Sequence, residues 1–254
     1  RALPDLGNNI KCGNSLIGPD YYEGKQTSFL DTEEMQRVNA FDWEKEFPEI
    51  FKAGGFDAVI GNPPWGASLS DVEKDYCSKK FLSFLGNHES YLFFIEKASD
   101  LLKNNGLSSY VTPDYWIKVP QAKALRRLIL EKMNLVSITA LPQKVFNRVS
   151  ANCIIFVASK KIGIDTTLIN IMLPKSYLSN IAKDIFDDSY ILNTKLWHHS
   201  KDLQFQIYQK DEIAEIINRI KINCLEAINY LDVMQGIVPY SIENLSLIHI
   251  LRCP

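Results

Sequence analysis

The chain has 254 residues, with 28 basic and 30 acidic side chains, a net charge of −2 and 46% hydrophobic residues. This is enough apolar material for one sizeable core plus a smaller piece, and too balanced a charge for a self-sufficient basic nucleic-acid binder. No apolar run is long enough to cross a bilayer, no secretory signal is seen, and Cys12, Cys77, Cys153, Cys224 and Cys253 form no C-x-x-C pair, which together predict reduced, mostly buried thiols in a cytoplasmic protein. In chain order, Gly13-Asn14-Ser15 reads as a turn. Ala58-Val59-Ile60 is a short apolar run that suits a buried parallel strand, and it ends in Asn62-Pro63-Pro64-Trp65. Residues 71–85 read as a polar helical lid. Tyr91, Phe94, Ile95, Ala98, Leu101 and Leu102 then recur at helical spacing, with Gly106 placed as the C-terminal cap and Tyr91, Phe93 and Phe94 as core. A strand over 107–112 ends at Pro113, a helix over 122–133 buries Leu125, Leu128 and Ile129, and strands follow over 136–141 and 152–158. Lys118, Lys123, Arg126, Arg127 and Lys132 form one local basic cluster, read as a solvated helix face with phosphate contact as the second reading. His198-His199 has no partner at metal spacing and reads as a surface turn, so no metal site is expected. Residues 165–199 carry little signal. Ile213, Ile216, Ile217 and Ile220 suggest a later helix begun by Asp211 as its cap. The alternation predicts an α/β sheet with ligands at the carboxyl ends of its strands.

The Asn62-Pro63-Pro64-Trp65 turn carries the chemistry. Asn62 precedes a proline and is pushed into an extended conformation. Pro63 and Pro64 fix their own φ angles and supply no N–H, so the turn is rigid and rich in acceptors. The Asn62 side-chain oxygen and the Pro63 carbonyl are placed to take the two hydrogens of an aromatic amine. Trp65 then stacks on the ring that carries it, a contact worth roughly 1–3 kcal/mol per base. Acceptors that hold those hydrogens out of the ring plane favour a tetrahedral, nucleophilic nitrogen and stabilise the positive charge that grows as it attacks a methyl sulfonium. A plain proline-rich turn closing a strand is the alternative.

Phe41-Asp42-Trp43-Glu44, Phe47-Pro48-Glu49-Ile50-Phe51 and the run from Gly54 to Trp65 resemble the methyltransferases that act on the amino group of DNA adenine. More narrowly, they are similar to the large enzymes of type II restriction–modification systems that join methylation to cleavage. The similarity runs from about Asn9 to Tyr240, is strongest before Gly66 and fades between Asp165 and Asn229. It implies S-adenosyl-L-methionine as cofactor, duplex DNA as partner and a flipped adenine as the methylated base, with Asn62, Pro63, Pro64 and Trp65 catalytic. It also implies that Asn14, in Ile10-Lys11-Cys12-Gly13-Asn14-Ser15-Leu16, contacts the cofactor's adenine, where an aspartate is also common. Val145-Phe146 with Val149-Ser150-Ala151 is similar to the segment whose aromatic packs on the target base, so that Phe146 and Trp65 are expected to form a two-sided clamp; Phe146 as plain core is the alternative. Met234-Gln235-Gly236-Ile237-Val238-Pro239-Tyr240 resembles the opening of a target-recognition domain.

The implied fold is a partial Rossmann-like methyltransferase sheet with helices on both faces over 1–160, a partly helical connector over 161–228 and the start of a target-recognition domain over 229–244. Leu245 to Ile250 is also the translation of a transposase end sequence used in DNA library preparation, so 245–254 is expected to be a non-native tail. The family's glycine-rich cofactor loop is not seen between Arg1 and Asn14, so the segment alone is expected to bind cofactor poorly. The resemblance leaves a nuclease domain elsewhere in the same full-length chain open. Two other readings stand beside it: methylation of a protein glutamine or an RNA base, and a non-catalytic fragment or DNA-recognition scaffold. The implied setting is the prokaryotic cytoplasm.

Overall fold

A computed structural model describes residues 9–23, 32–66, 69–84, 89–142, 145–146, 151–160, 168–174, 186–198 and 200–207, all within a compact unit spanning Arg1–Asp211. The helix expected from Asp211, the recognition-domain opening and the tail lie outside the described residues. Short helices α1 (Thr32–Val38), α2 (Trp43–Glu46) and α3 (Pro48–Lys52) lead into strand β1 (Phe56–Gly61). Then come α4 (Asp71–Lys80), α5 (Ser90–Leu101), β2 (Leu102–Pro113), α6 (Lys123–Lys132), β3 (Met133–Ala140), β4 (Cys153–Lys160), β5 (Leu168–Pro174), β6 (Phe186–Asn193) and a last turn of helix, α7 (Lys195–His198). No described helix is long and apolar enough to cross a membrane.

The six strands form one mixed sheet in the order β1-β2-β4-β3-β5-β6. β1 runs parallel to β2, and β3 parallel to β5. β4 is antiparallel to both β2 and β3, and so slots between two strands that precede it in the chain. Leu168–Pro174 and Phe186–Asn193, within the stretch expected to be a partly helical connector, extend the sheet by two strands. Ile169 and Ile171 point alternately into the core while Leu168 and Asn170 face out, the period-two burial of a strand.

Two cores flank α5. Tyr91, Leu92, Ile95 and Ala98 pack with Tyr110, Ile138, Ile154 and Phe156 of the sheet and with Leu125 and Ile129 of α6. Phe93, from the same helix, joins Leu16, Ile17, Tyr21, Val38, Cys77 and Phe81 in a second cluster. A helix apolar nearly all round is the sequence form of such an element. α4 starts with a capping box in which Ser70 and Glu73 exchange hydrogen bonds, and it buries Cys77 fully. The segment read as a polar lid is therefore a helix anchored in that second cluster, ending at Lys80.

Three sequence expectations are corrected by packing. The β1 run is not a buried strand: it lies at the edge of the sheet, with Ala58 exposed and Ile60 84% exposed. Gly106 does not cap α5, because the helix ends at Leu101 and Leu102 is already extended. Phe56 faces Leu102 in the sheet but Ala58 faces Leu107, so the intervening residues bulge, and Asn105 takes the positive φ of 61°. Gly106 is needed there for a different reason: a Cβ would stand 2.8 Å from the Phe56 carbonyl oxygen. Arg126 is not on a solvated face. It is fully buried, and its guanidinium donates to the carbonyls of Trp116 and Asp202.

Candidate active site

The sheet gathers the site by register. Gly61 at the end of β1 lies beside Tyr110, Pro113 at the end of β2 beside Cys153, and Ala140 at the end of β3 beside Ile154. The carboxyl ends of β1, β2 and β3 thus share one rim with the start of β4. Main-chain bonds tie that rim together: Asp114 N–H donates to the Asn152 carbonyl at 2.8 Å, and Leu141 N–H to the Cys153 carbonyl at 2.8 Å. Asn62 to Trp65 leave the rim from β1, and Phe146 returns to it beyond β3.

Asn62 is exposed, and neither its carboxamide nor the Pro63 carbonyl makes a hydrogen bond among the described residues. The Pro64 carbonyl, by contrast, accepts from the Ser90 hydroxyl at 2.9 Å. Gly66, with φ of 70°, donates its N–H to a Glu89 carboxylate oxygen at 3.2 Å. Glu89 occupies the N-cap position of α5 yet makes no side-chain cap to that helix; its carboxylate serves the turn instead. These two partners were not picked out from sequence. Their only signal there is position, an acid and a hydroxyl immediately before an apolar helical run.

Trp65 is half-buried against the main core, and its Nε1 is buried without a hydrogen-bond partner. Its ring meets Phe146 edge to face, with centroids 5.3 Å apart and planes at 89°. The two aromatics are therefore neighbours, as expected, but in direct contact, with no ring-wide gap between them. No ionisable side chain belongs to the turn itself. Around it, burial pushes the Tyr110 phenol up to about 12, and burial with the nearby Asp114 charge pushes the Cys153 thiol up to about 11. Burial, and secondarily Glu89, also raises Tyr91 well above the ordinary phenol range. All three stay neutral near pH 7, so the charges around the turn are those of Glu89, which holds Gly66, and of Asp114, which is paired with Lys118.

Among the described residues no hydrogen bond joins Asn14 to this turn. Its N–H donates to the Asn39 carbonyl at 2.6 Å and it bridges Ala40 in parallel fashion. Its Oδ1 accepts from Leu16 N–H at 3.1 Å, while the amide nitrogen makes no hydrogen bond among the described residues. That donor set fits a ring nitrogen of a purine. A cavity of about 210 Å³ lined by Phe41, Trp43, Tyr76, Lys97 and neighbouring residues sits toward the far end of α5 and includes no residue of the turn. Among the described residues no group of three His, Cys, Asp or Glu side chains is arranged to hold a metal.

Residues 3–146 match the family described as Eco57I restriction-modification methylase. A Methanocaldococcus jannaschii protein whose name assigns it to type II restriction and methylation, RM.MjaORFECS2P, is 31% identical over 202 residues, covering 79% of this chain and 16% of that protein. The type II restriction enzyme and methyltransferase RM.Eco57I of Escherichia coli is 30% identical over 162 residues, 61% of this chain and 15% of its own length. The adenine-specific methyltransferase BrxX of Escherichia coli O9:H4 is 26% identical over 101 residues, 39% of this chain and 8% of that protein. The chain thus spans about one sixth of the length of the first two relatives. The matched stretch includes β1, β2 and β3 and the acceptor-rich turn at their rim. The chain belongs to the Eco57I restriction-modification methylase family.

Proposed function

We propose that the protein to which this chain belongs transfers a methyl group from S-adenosyl-L-methionine to N6 of an adenine flipped out of duplex DNA, within a restriction–modification system. The observation that carries the proposal is the exposed, unpartnered Asn62 carboxamide standing beside an unengaged Pro63 carbonyl and the Trp65 ring. A methylated nitrogen needs acceptors for its two hydrogens and a face for its ring, and this turn supplies both.

Bound S-adenosyl-L-methionine supplies an electrophilic methyl on a sulfonium. Asn14 is the residue suited to hold the cofactor's adenine, through its amide hydrogens. A base inside the stack is out of reach, so it must leave the duplex at a cost of a few kcal/mol. Trp65 offsets part of that cost by stacking. Asn62 Oδ1 and the Pro63 carbonyl then each accept one hydrogen of the amine and turn its lone pair out of conjugation. They also stabilise the positive charge that develops on the nitrogen. A strong base is unnecessary, because the proton becomes acidic only once the nitrogen carries the new methyl. The absence of an ionisable side chain within the turn is consistent with that order of events.

The test is transfer of tritiated methyl from cofactor by the full-length protein to unmethylated DNA, with ribosome and release-factor extracts as parallel acceptors. Label on DNA adenine is the expected result. Label on protein or RNA alone would reassign the substrate, and none anywhere would leave a recognition scaffold.

A further inference from the structure

A Pro-Pro pair has few free torsions. The peptide plane that carries the Pro63 carbonyl and the plane that carries the Trp65 amide are separated by two angles, the φ and ψ of Pro64. The ring fixes φ, and each plane is itself rigid. One soft angle therefore links the second amine acceptor to the backbone from which the indole projects. The Ser90 hydroxyl, donating to the Pro64 carbonyl at 2.9 Å, acts on that angle. Ser90 is 2% exposed while Pro64 is exposed, so the donor side of the bond is screened from water. Gly66 on the far side of Trp65 is tied back to the same helix end through Glu89.

We infer that Ser90 is a positioning residue for amine capture. By drawing the Pro64 carbonyl onto α5 it leaves the Pro63 carbonyl as the unengaged main-chain acceptor and fixes the angle between that acceptor and Trp65. It touches neither base nor cofactor and acts only through the turn. The helix end thereby sets the spacing of the site, since α5 is clamped between both cores and cannot shift without disturbing each. The inference rests on the methyl-transfer reading above.

Ser90→Ala and Ser90→Thr in the full-length protein test it, with tritiated cofactor, unmethylated DNA, and active sites counted by cofactor-binding stoichiometry. Ser90→Ala is expected to lower kcat per active site about tenfold, the effect of roughly one lost hydrogen bond at the transition state, while KM for DNA and for cofactor stays within about twofold. Ser90→Thr, which keeps the hydroxyl, is expected to recover most of the rate. A merely structural role would reduce the number of active sites and leave the rate per site alone. Wild-type kcat in Ser90→Ala would overturn the inference, as would a threonine variant as slow as the alanine one. So would a loss confined to DNA affinity, which would make Ser90 a DNA contact. If the unaltered protein methylates no DNA, the methyl-transfer reading itself fails, and that outcome is distinct from the others.

Discussion

Arg126 and Asp202 are joined through the main chain: the Arg126 Nε and Nη2 both donate to the Asp202 carbonyl, at 3.2 and 2.8 Å, while Nη1 donates to the Trp116 carbonyl at 2.5 Å. One buried guanidinium thus fastens α6 to two separate turns. Burial pulls its pKa down to about 10, with the Asp202 charge opposing, and it remains charged at neutral pH. Arg126→Ala strands two buried carbonyls and is expected to cost about 2–4 kcal/mol in urea unfolding. The salt dependence of DNA binding should not change in that variant, since a residue that touches no phosphate releases no counterion. An unchanged unfolding midpoint with a shallower salt slope would return Arg126 to the DNA surface.

Asn62→Ala removes the side-chain acceptor and nothing that holds the fold, because the carboxamide is exposed and unbonded. In the full-length protein it is expected to lower kcat by about a hundredfold or more, with cofactor affinity by calorimetry unchanged. Equal activity in the variant would end the assignment.

Trp65 separates stacking from packing. Trp65→Phe keeps a ring and deletes an N–H that is buried without a partner, so thermal stability should stay within about 1 kcal/mol of the unaltered protein or rise slightly. Methyl transfer should be partly retained. Trp65→Ala should lose up to about tenfold in transfer, the roughly 1–3 kcal/mol of stacking less the about 0.5–1.5 kcal/mol of the Phe146 contact that the base replaces. Indifference of the rate to both would refute a role for the ring.

Glu73 sets part of the acid stability. Burial alone raises its pKa, but hydrogen bonds from Ser70 N–H and Oγ at 2.7 and 2.6 Å, with Arg37 at 3.4 Å, outweigh it and hold the carboxyl below the ordinary glutamate range. A carboxylate depressed on folding contributes stability that is present above its unfolded pKa and lost as the pH falls through the folded one. Glu73→Gln should therefore be less stable than the unaltered protein at neutral pH, by a difference that shrinks as the pH falls below the ordinary glutamate range, in urea unfolding at neutral and acid pH. A constant difference across that range would show that charge is not involved.

The parts of this fold legible in the sequence are those with local causes. The strand character of β1 (though not its edge position, which leaves Ile60 exposed), the α5 and α6 periodicities and the hydrophobic strands β3 and β4 each follow from spacing within a dozen residues. The Asn62 turn was legible because two prolines fix a backbone wherever they stand. Partners distant in sequence were not legible. That β4 lies between β2 and β3 depends on which strand edges remain open, and a strand's own residues do not encode its neighbours. The basic cluster looked solvated because lysine and arginine usually are; only the two carbonyls awaiting Arg126 reverse that. Ser90 and Glu89 gave no sign of their task, since a helix start looks the same whether its side chains cap the helix or brace another turn. The family segment around Phe146 pointed to Trp65 as its neighbour, but that the two rings touch edge to face, with no gap between them, depends on how the sheet rim packs.

That contact has a consequence for selectivity. Two aromatic rings meeting edge to face contribute about 0.5–1.5 kcal/mol, and a base laid on an aromatic gains about 1–3 kcal/mol. A nucleobase that takes the place of Phe146 at the indole therefore exchanges one favourable ring contact for another and profits little from the trade. On the proposed reading, the pair of oxygens at Asn62 and Pro63 then decides what is retained: a base that offers them an amine is held, and one that offers a carbonyl sets oxygen against oxygen.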